Sequence, residues 1–172
     1  MTGDVRRAVG ALVAGAVLAV AAAPAGAAAC NDSPRMAEAM RFVAKNTAYR
    51  AIAQCPTLED VPPEALKATG PGVERHGEAP RAVYRPAQHT ILLDADLDLH
   101  SVLARSYLVH ELVHAHQVAA GAYQRAACPG ALEGEAYRLQ ARYLRAHGAR
   151  ERAFDFQLLG LLQAACAQFY RD

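Results

Sequence analysis

His110-Glu111-Leu112-Val113-His114 is the stretch of this chain whose residue types and spacing could do chemistry. Residues four apart lie on one face of a helix, so both imidazoles can reach a single metal ion. Neutral imidazole nitrogen suits zinc, bound at about 2.0–2.1 Å. Glu111 stands one step round the helix, placed to point at a water on the metal rather than to bind the metal itself. Zinc lowers the pKa of such a water toward about 7, and a carboxylate beside it can take the proton as general base. Tyr107, His110, His114 and Gln117 share a face with Leu103, so polar groups stand where packing is expected and need partners. A metal would satisfy them together.

Two histidines do not complete a zinc site; a third ligand is required. The pattern HExxHxxGxxH fails, because Gln117 occupies its glycine position and Ala120 its third histidine position. No methionine follows residue 40 to form the turn that accompanies that pattern. The remaining source is a glutamate from the next helix. After eighteen further residues comes Glu133, in Ala131-Leu132-Glu133-Gly134-Glu135-Ala136. Only one of Glu133 and Glu135 can face the metal. Ala136, three positions past Glu133, is small enough for a close helix approach, whereas Arg138 stands three past Glu135. Glu133 is therefore the preferred ligand and Glu135 its rival.

This HExxH-x18-E arrangement resembles the gluzincin clan of zinc metallopeptidases over roughly residues 81–145. In the aminopeptidase branch the third ligand also lies in an E-G-x-A context, matched here by Glu133-Gly134-Glu135-Ala136. The resemblance implies an α+β, mostly helical fold, a minimal zincin-like core of HExxH helix, glutamate-bearing helix and short β-hairpin. It implies one Zn2+ ion on His110, His114 and Glu133, and peptide hydrolysis with Glu111 as general base. Clan architecture implies an edge strand that pairs with an extended substrate, for which residues 90–94 are the natural candidate. A second electrophile for the oxyanion would come from Tyr123, Tyr137 or Tyr143, with Tyr137 the first choice. The chain departs from thermolysin-like members at Tyr137, where they carry Asp. The usual carboxylate partner of a zinc histidine is missing there, so another group must orient His110 or His114. That departure motivates a rival reading, a non-enzymatic exported domain using the metal for stability or for a binding surface. Four protein ligands, including both glutamates or a thiolate, would favour the rival; an open fourth position would favour the enzyme.

Several elements must position these residues. Ser33-Pro34 is a helix start, and Met36, Met40, Val43 and Thr47 recur at helical spacing up to about Gln54. Residues 56–80 hold five of the nine prolines and read as loop, with one helical turn at 63–68 and His76 solvated. Residues 81–85 and 90–94 form a hairpin with a four-residue loop. Asp94, Asp96 and Asp98 alternate as calcium ligands do, but Leu99 and Arg105 stand where an EF-hand needs Gly and Glu. They read as solvated turn residues. Residues 99–119 make the motif helix, stopped by Gly121. A helical hairpin follows over about 131–147 and 150–169, divided at Gly148. His116 lies off the metal face, with solvent exposure expected, and His89, His100 and His147 fall in or near turns.

The first 29 residues read as a secretory signal peptide: Arg6 and Arg7, an apolar run from Val9 to Ala23, and Ala27-Ala28-Ala29 before the cut. The run is short for a membrane span of about 20 residues, though an uncleaved anchor is an alternative. Lipidation at Cys30 is another. Residues 30–172 then form a single domain, secreted, periplasmic or at the cell surface, and monomeric. The full chain of 172 residues is 53% hydrophobic and 20% charged, with formal charge +1, which removal of Asp4, Arg6 and Arg7 brings to zero. Such balance excludes a disordered tail and argues against nucleic acid as partner; a peptide or protein substrate is what the resemblance implies. A membrane enters only through lipidation or a retained signal. Four cysteines suit an oxidising compartment. The helical hairpin brings Cys128 and Cys166 to the same end. A Cys30–Cys55 bridge, by contrast, needs a break in the intervening helix, which would be about 30 Å long; otherwise those thiols do something else.

Overall fold

A computed structural model describes Cys30, residues 33–67 and residues 80–166. The expected signal peptide, His76 and the end of the last helix lie outside the described residues. The architecture is α+β and mostly helical, with a three-stranded sheet. Helix α1 (Pro34–Asn46) is followed by β1 (Thr57–Val61), the short α2 (Pro63–Lys67), β2 (Ala82–Arg85) and β3 (Thr90–Asp94). Then come α3 (Val102–Ala119), a 3-10 turn (Ala122–Gln124), α4 (Pro129–Ala146) and α5 (Arg150–Ala164).

Helix α1 starts where the sequence predicts, with the Ser33 hydroxyl accepting from Met36 N–H and Pro34 in the first turn. It ends eight residues before Gln54. The Asn46 and Thr47 side chains donate to the carbonyls of Phe42 and Val43, and Thr47 turns extended. The chain doubles back through buried Ile52 and brings Cys55 to Cys30, with Cα atoms 5.4 Å apart in a disulfide. The bridge thus has the helix break it requires. Its sulfur leaves no Cys30 thiol for a lipid thioether. Cys128 and Cys166 form the second bridge, Cα atoms 5.7 Å apart.

The hairpin of β2 and β3 forms with Ala82 opposite Leu93 and Arg85 opposite Thr90. The region read as loop supplies a further strand, because β1 pairs in parallel with β3, Thr57 beside Thr90 and Val61 beside Asp94. The order β1-β3-β2 corrects the expected edge: residues 90–94 are central and β2 is the outer strand beside α3. Ile91 and Leu93 pack into one core with Leu108, Val109, Leu112 and Val113 of α3, Met36, Met40 and Val43 of α1, and Ala136 of α4. Asp94, expected in solvent, is 2% exposed and pairs with Arg81 at 2.9 Å. His116 is also buried; its Nδ1–H donates to the Leu112 carbonyl, and burial lowers its pKa. The mistaken exposure follows from counting faces on a surface helix, whereas α3 is covered nearly all round.

Gly121, at φ +62°, ends α3 as the sequence predicts, its N–H donating to the Val118 carbonyl. Helices α4 and α5 run close together. A Cβ on Gly134 would stand 2.7 Å from Ala164 Cβ and 2.8 Å from the Gly160 carbonyl oxygen. Among the described residues no helix is long and apolar enough to cross a membrane.

Candidate metal centre

The α3 helix presents His110 and His114 on one face, and α4 brings Glu133 against them. His110 Nε2 and His114 Nε2 lie 3.1 Å apart. Glu133 reaches His110 Nε2 with Oε2 at 3.3 Å and His114 Nε2 with Oε1 at 3.4 Å. Tetrahedral zinc with bonds of about 2.0–2.1 Å sets its donors about 3.3–3.4 Å apart. The nearest donor pairs therefore stand at spacings that suit one such ion, with His110 and His114 each facing a different oxygen of Glu133. Both imidazoles are buried, while the Glu133 side chain is 41% exposed, so the cluster lies at the protein surface on the Glu133 side.

Glutamine amides take the place of the missing carboxylate partner. His114 Nδ1 meets Gln117 Oε1 at 2.8 Å, and His110 Nδ1 meets Gln140 Oε1 at 3.1 Å. An amide oxygen accepts, so in the neutral form of each ring Nδ1 carries the proton and Nε2 has the lone pair that a metal would use. Gln140 Nε2 donates to Ser106 Oγ, whose hydroxyl donates to the Leu103 carbonyl. Gln117 Nε2 donates to the Leu132 carbonyl and to Glu135 Oε2, both at 3.0 Å. Gln117 was visible on the motif face; Gln140, on α4 seven residues past Glu133, was not singled out from the sequence.

The structure separates the two rival glutamates. Glu133 joins the histidines, whereas Glu135 accepts from Gln117 and from the Tyr49 hydroxyl at 2.6 Å. Glu111 does not join the donor triangle. Its Oε2 accepts from the Tyr84 N–H of β2 at 2.7 Å, which holds the carboxylate beside the site. Tyr137 packs its ring 4.5 Å from the His110 ring and stacks on Phe156. Burial, then the charges of Glu133 and Glu111, push its hydroxyl up to about 12. Tyr123 is similarly pushed to about 12, and its hydroxyl lies 3.5 Å from His114 Nδ1. Tyr143 is removed from the candidates: its hydroxyl donates to Glu38 and accepts from Arg105 Nε. His89, His100 and His147 make structural contacts, with Tyr84 and Gln54, with Arg35, and with Tyr143 and Glu38 respectively.

Burial alone would lower the His114 pKa, but Glu133, then Glu111, overcome it and push it up to about 9. Burial alone would raise Glu133; the hydrogen bonds and charges of His110 and His114 instead hold it well below the usual carboxylate range.

All four cysteines are in disulfides, so no thiolate is available as a ligand. No curated protein and no solved structure matches the chain. A family model described as Domain of unknown function (DUF6647) matches residues 28–170, and the chain belongs to that family.

Proposed function

We propose that this protein is an exported zinc metallopeptidase of gluzincin type, acting on peptide or protein substrates. The observation that carries the reading is a cluster of three side chains, His110, His114 and Glu133, whose donor atoms lie within 4.8 Å of one another, with a further carboxylate, Glu111, fixed beside it. His110, His114 and Glu133 would hold the ion, and the tautomers set by Gln140 and Gln117 suit that role. A zinc ion there supplies Lewis acidity, acidifying water and polarising a carbonyl. Glu111, held through Oε2 by Tyr84 N–H, takes a proton from the attacking water with its other oxygen. It then passes that proton to the amine nitrogen as the C–N bond breaks. Tyr137 is the first choice to donate to the developing oxyanion, with Tyr123 on hand near His114. The outer strand β2 is the edge an extended substrate would pair with, through groups other than the Tyr84 N–H that Glu111 engages.

Export rests on residues 1–29 and on the two disulfides, which suit an oxidising compartment. The engagement of Glu135 and of every cysteine elsewhere weighs against a closed four-ligand site. The test is metal analysis of the mature protein together with a peptide-library digest. Glu111→Gln is expected to keep stoichiometric zinc and lose hydrolysis; His114→Ala loses both. A mature protein that takes up no zinc, or a Glu111→Gln variant that cleaves as the wild type does, overturns the reading.

A further inference from the structure

We propose that Glu135, which binds no metal, is a positioning residue for the metal site, acting through the Gln117 amide on His114. The inference rests on the metal-binding part of the preceding reading. Its basis is a hydrogen-bonded chain running from Tyr49 hydroxyl to Glu135 Oε2, on to Gln117 Nε2, and from Gln117 Oε1 to His114 Nδ1. The successive distances are 2.6, 3.0 and 2.8 Å.

A glutamine amide has nearly the same shape in its two flipped orientations. Flipped, Gln117 would aim N–H at His114 Nδ1. That bond requires an unprotonated Nδ1 and moves the proton to Nε2, the atom facing Glu133 and His110. The flipped state therefore abolishes the donor that a metal needs. It would also set the amide oxygen against Glu135 Oε2 and the Leu132 carbonyl, which now accept from Nε2. Repulsion from a full negative charge is the larger of those two penalties. Glu135 thus locks the orientation, and its charge polarises the amide so that Oε1 accepts more strongly. The Tyr49 hydroxyl in turn holds the locking oxygen. The lock on His110 has no such charge, because Gln140 donates to a serine hydroxyl. One helix, α4, therefore gives the site both a ligand and, two residues on, the anion that orients another ligand.

The experiment measures zinc affinity by competition with a chromophoric chelator in the mature protein. The variants are Glu135→Gln, Gln117→Glu, the reciprocal double Gln117→Glu with Glu135→Gln, and Tyr49→Phe. Partners of metal-bound histidines typically carry about 10–100-fold in affinity, so Glu135→Gln is expected to weaken zinc about tenfold. Gln117→Glu alone sets two carboxylates face to face and is expected to lose at least about tenfold. The double variant gives His114 a direct carboxylate from position 117 and supplies that carboxylate with an amide donor from position 135. It is expected to recover to within about threefold of wild type. Tyr49→Phe keeps the charge and is expected to lose less than about threefold. A purely structural role would not produce that reciprocal rescue. Glu135→Gln binding zinc as the wild type does, or a double variant no better than Gln117→Glu, overturns the proposal. Failure of both Glu135 variants to fold assigns the residue to the fold and overturns it too. A wild type without stoichiometric zinc overturns the metal site itself, which is the distinguishable failure of the earlier reading.

Discussion

Metal uptake by this protein is expected to expel a proton, over a pH range set by the raised pKa of His114. Without a metal, Glu133 and Glu111 outweigh the burial of His114 and push its pKa up from the ordinary 6.5 to about 9. Zinc needs the lone pair that this proton occupies. Apparent zinc affinity should therefore rise about tenfold per pH unit from about 6.5 upward and flatten near about 9. That is roughly fiftyfold between pH 7 and pH 9. Stability of the metal-free protein moves in the opposite sense. A folded pKa above the unfolded one contributes stability that is fully present below 6.5 and is lost as pH rises through about 9. A shift of about 2.5 pH units corresponds to about 3 kcal/mol. For a domain of this size that is roughly a 10 °C fall in Tm. Calorimetric zinc titrations at pH 7, in two buffers of different ionisation enthalpy, count the protons released; about one per metal is expected. Thermal melts of the chelator-treated protein check the second arm, with Glu133→Gln as a control in which the fall disappears. An affinity flat from pH 7 to 9, or no proton released, would refute the claim that Glu133 holds a protonated His114.

Other perturbations test the supports of the site. Gly134→Ala places a methyl 2.7 Å from Ala164 Cβ and should cost about 1–3 kcal/mol in urea unfolding. An unchanged midpoint would show that α5 can move away freely. Tyr137→Phe should keep zinc and lower kcat roughly 100-fold if that hydroxyl serves the oxyanion. An unchanged kcat removes Tyr137 from the role, and Tyr123→Phe then becomes the decisive variant. Cys166→Ser opens the bridge to Cys128, whose cysteines are 38 residues apart, and should cost about 2–5 kcal/mol by calorimetry.

Much of the site was legible because its information is local. The spacing of His110 and His114 on one helix, the Gly121 stop and the β2–β3 hairpin depend on neighbours in sequence, and each stands as expected. Glu133 could be singled out because Ala136 marks a face that packs closely; Ala136 is indeed fully buried in the core. What escaped depends on distant partners. Strand β1 carries adjacent Glu59 and Asp60 in a proline-rich stretch, so its alternation is spoiled, and its strand character comes from parallel pairing with β3. Without β1, residues 90–94 look like an edge. The early end of α1 is set by Asn46 and Thr47 side chains that fit equally well in a continuing helix until the disulfide pulls the chain back. Gln140 could not be linked to His110 before the α3–α4 register was known.

The contact of α5 with Gly134 has a bearing on how damage far along the chain would be read. The backbone next to Glu133 rests directly on the last helix, and the Cys128–Cys166 bridge clips the two helices together one turn before that ligand. A lesion that loosens residues 150–166, such as a nick, a truncation or reduction of that bridge, slackens the scaffold beneath Glu133. Its earliest symptom should then be leakage of metal while the sheet and α3 are still intact. The last helix would then matter to a metal on Glu133 without donating an atom to it.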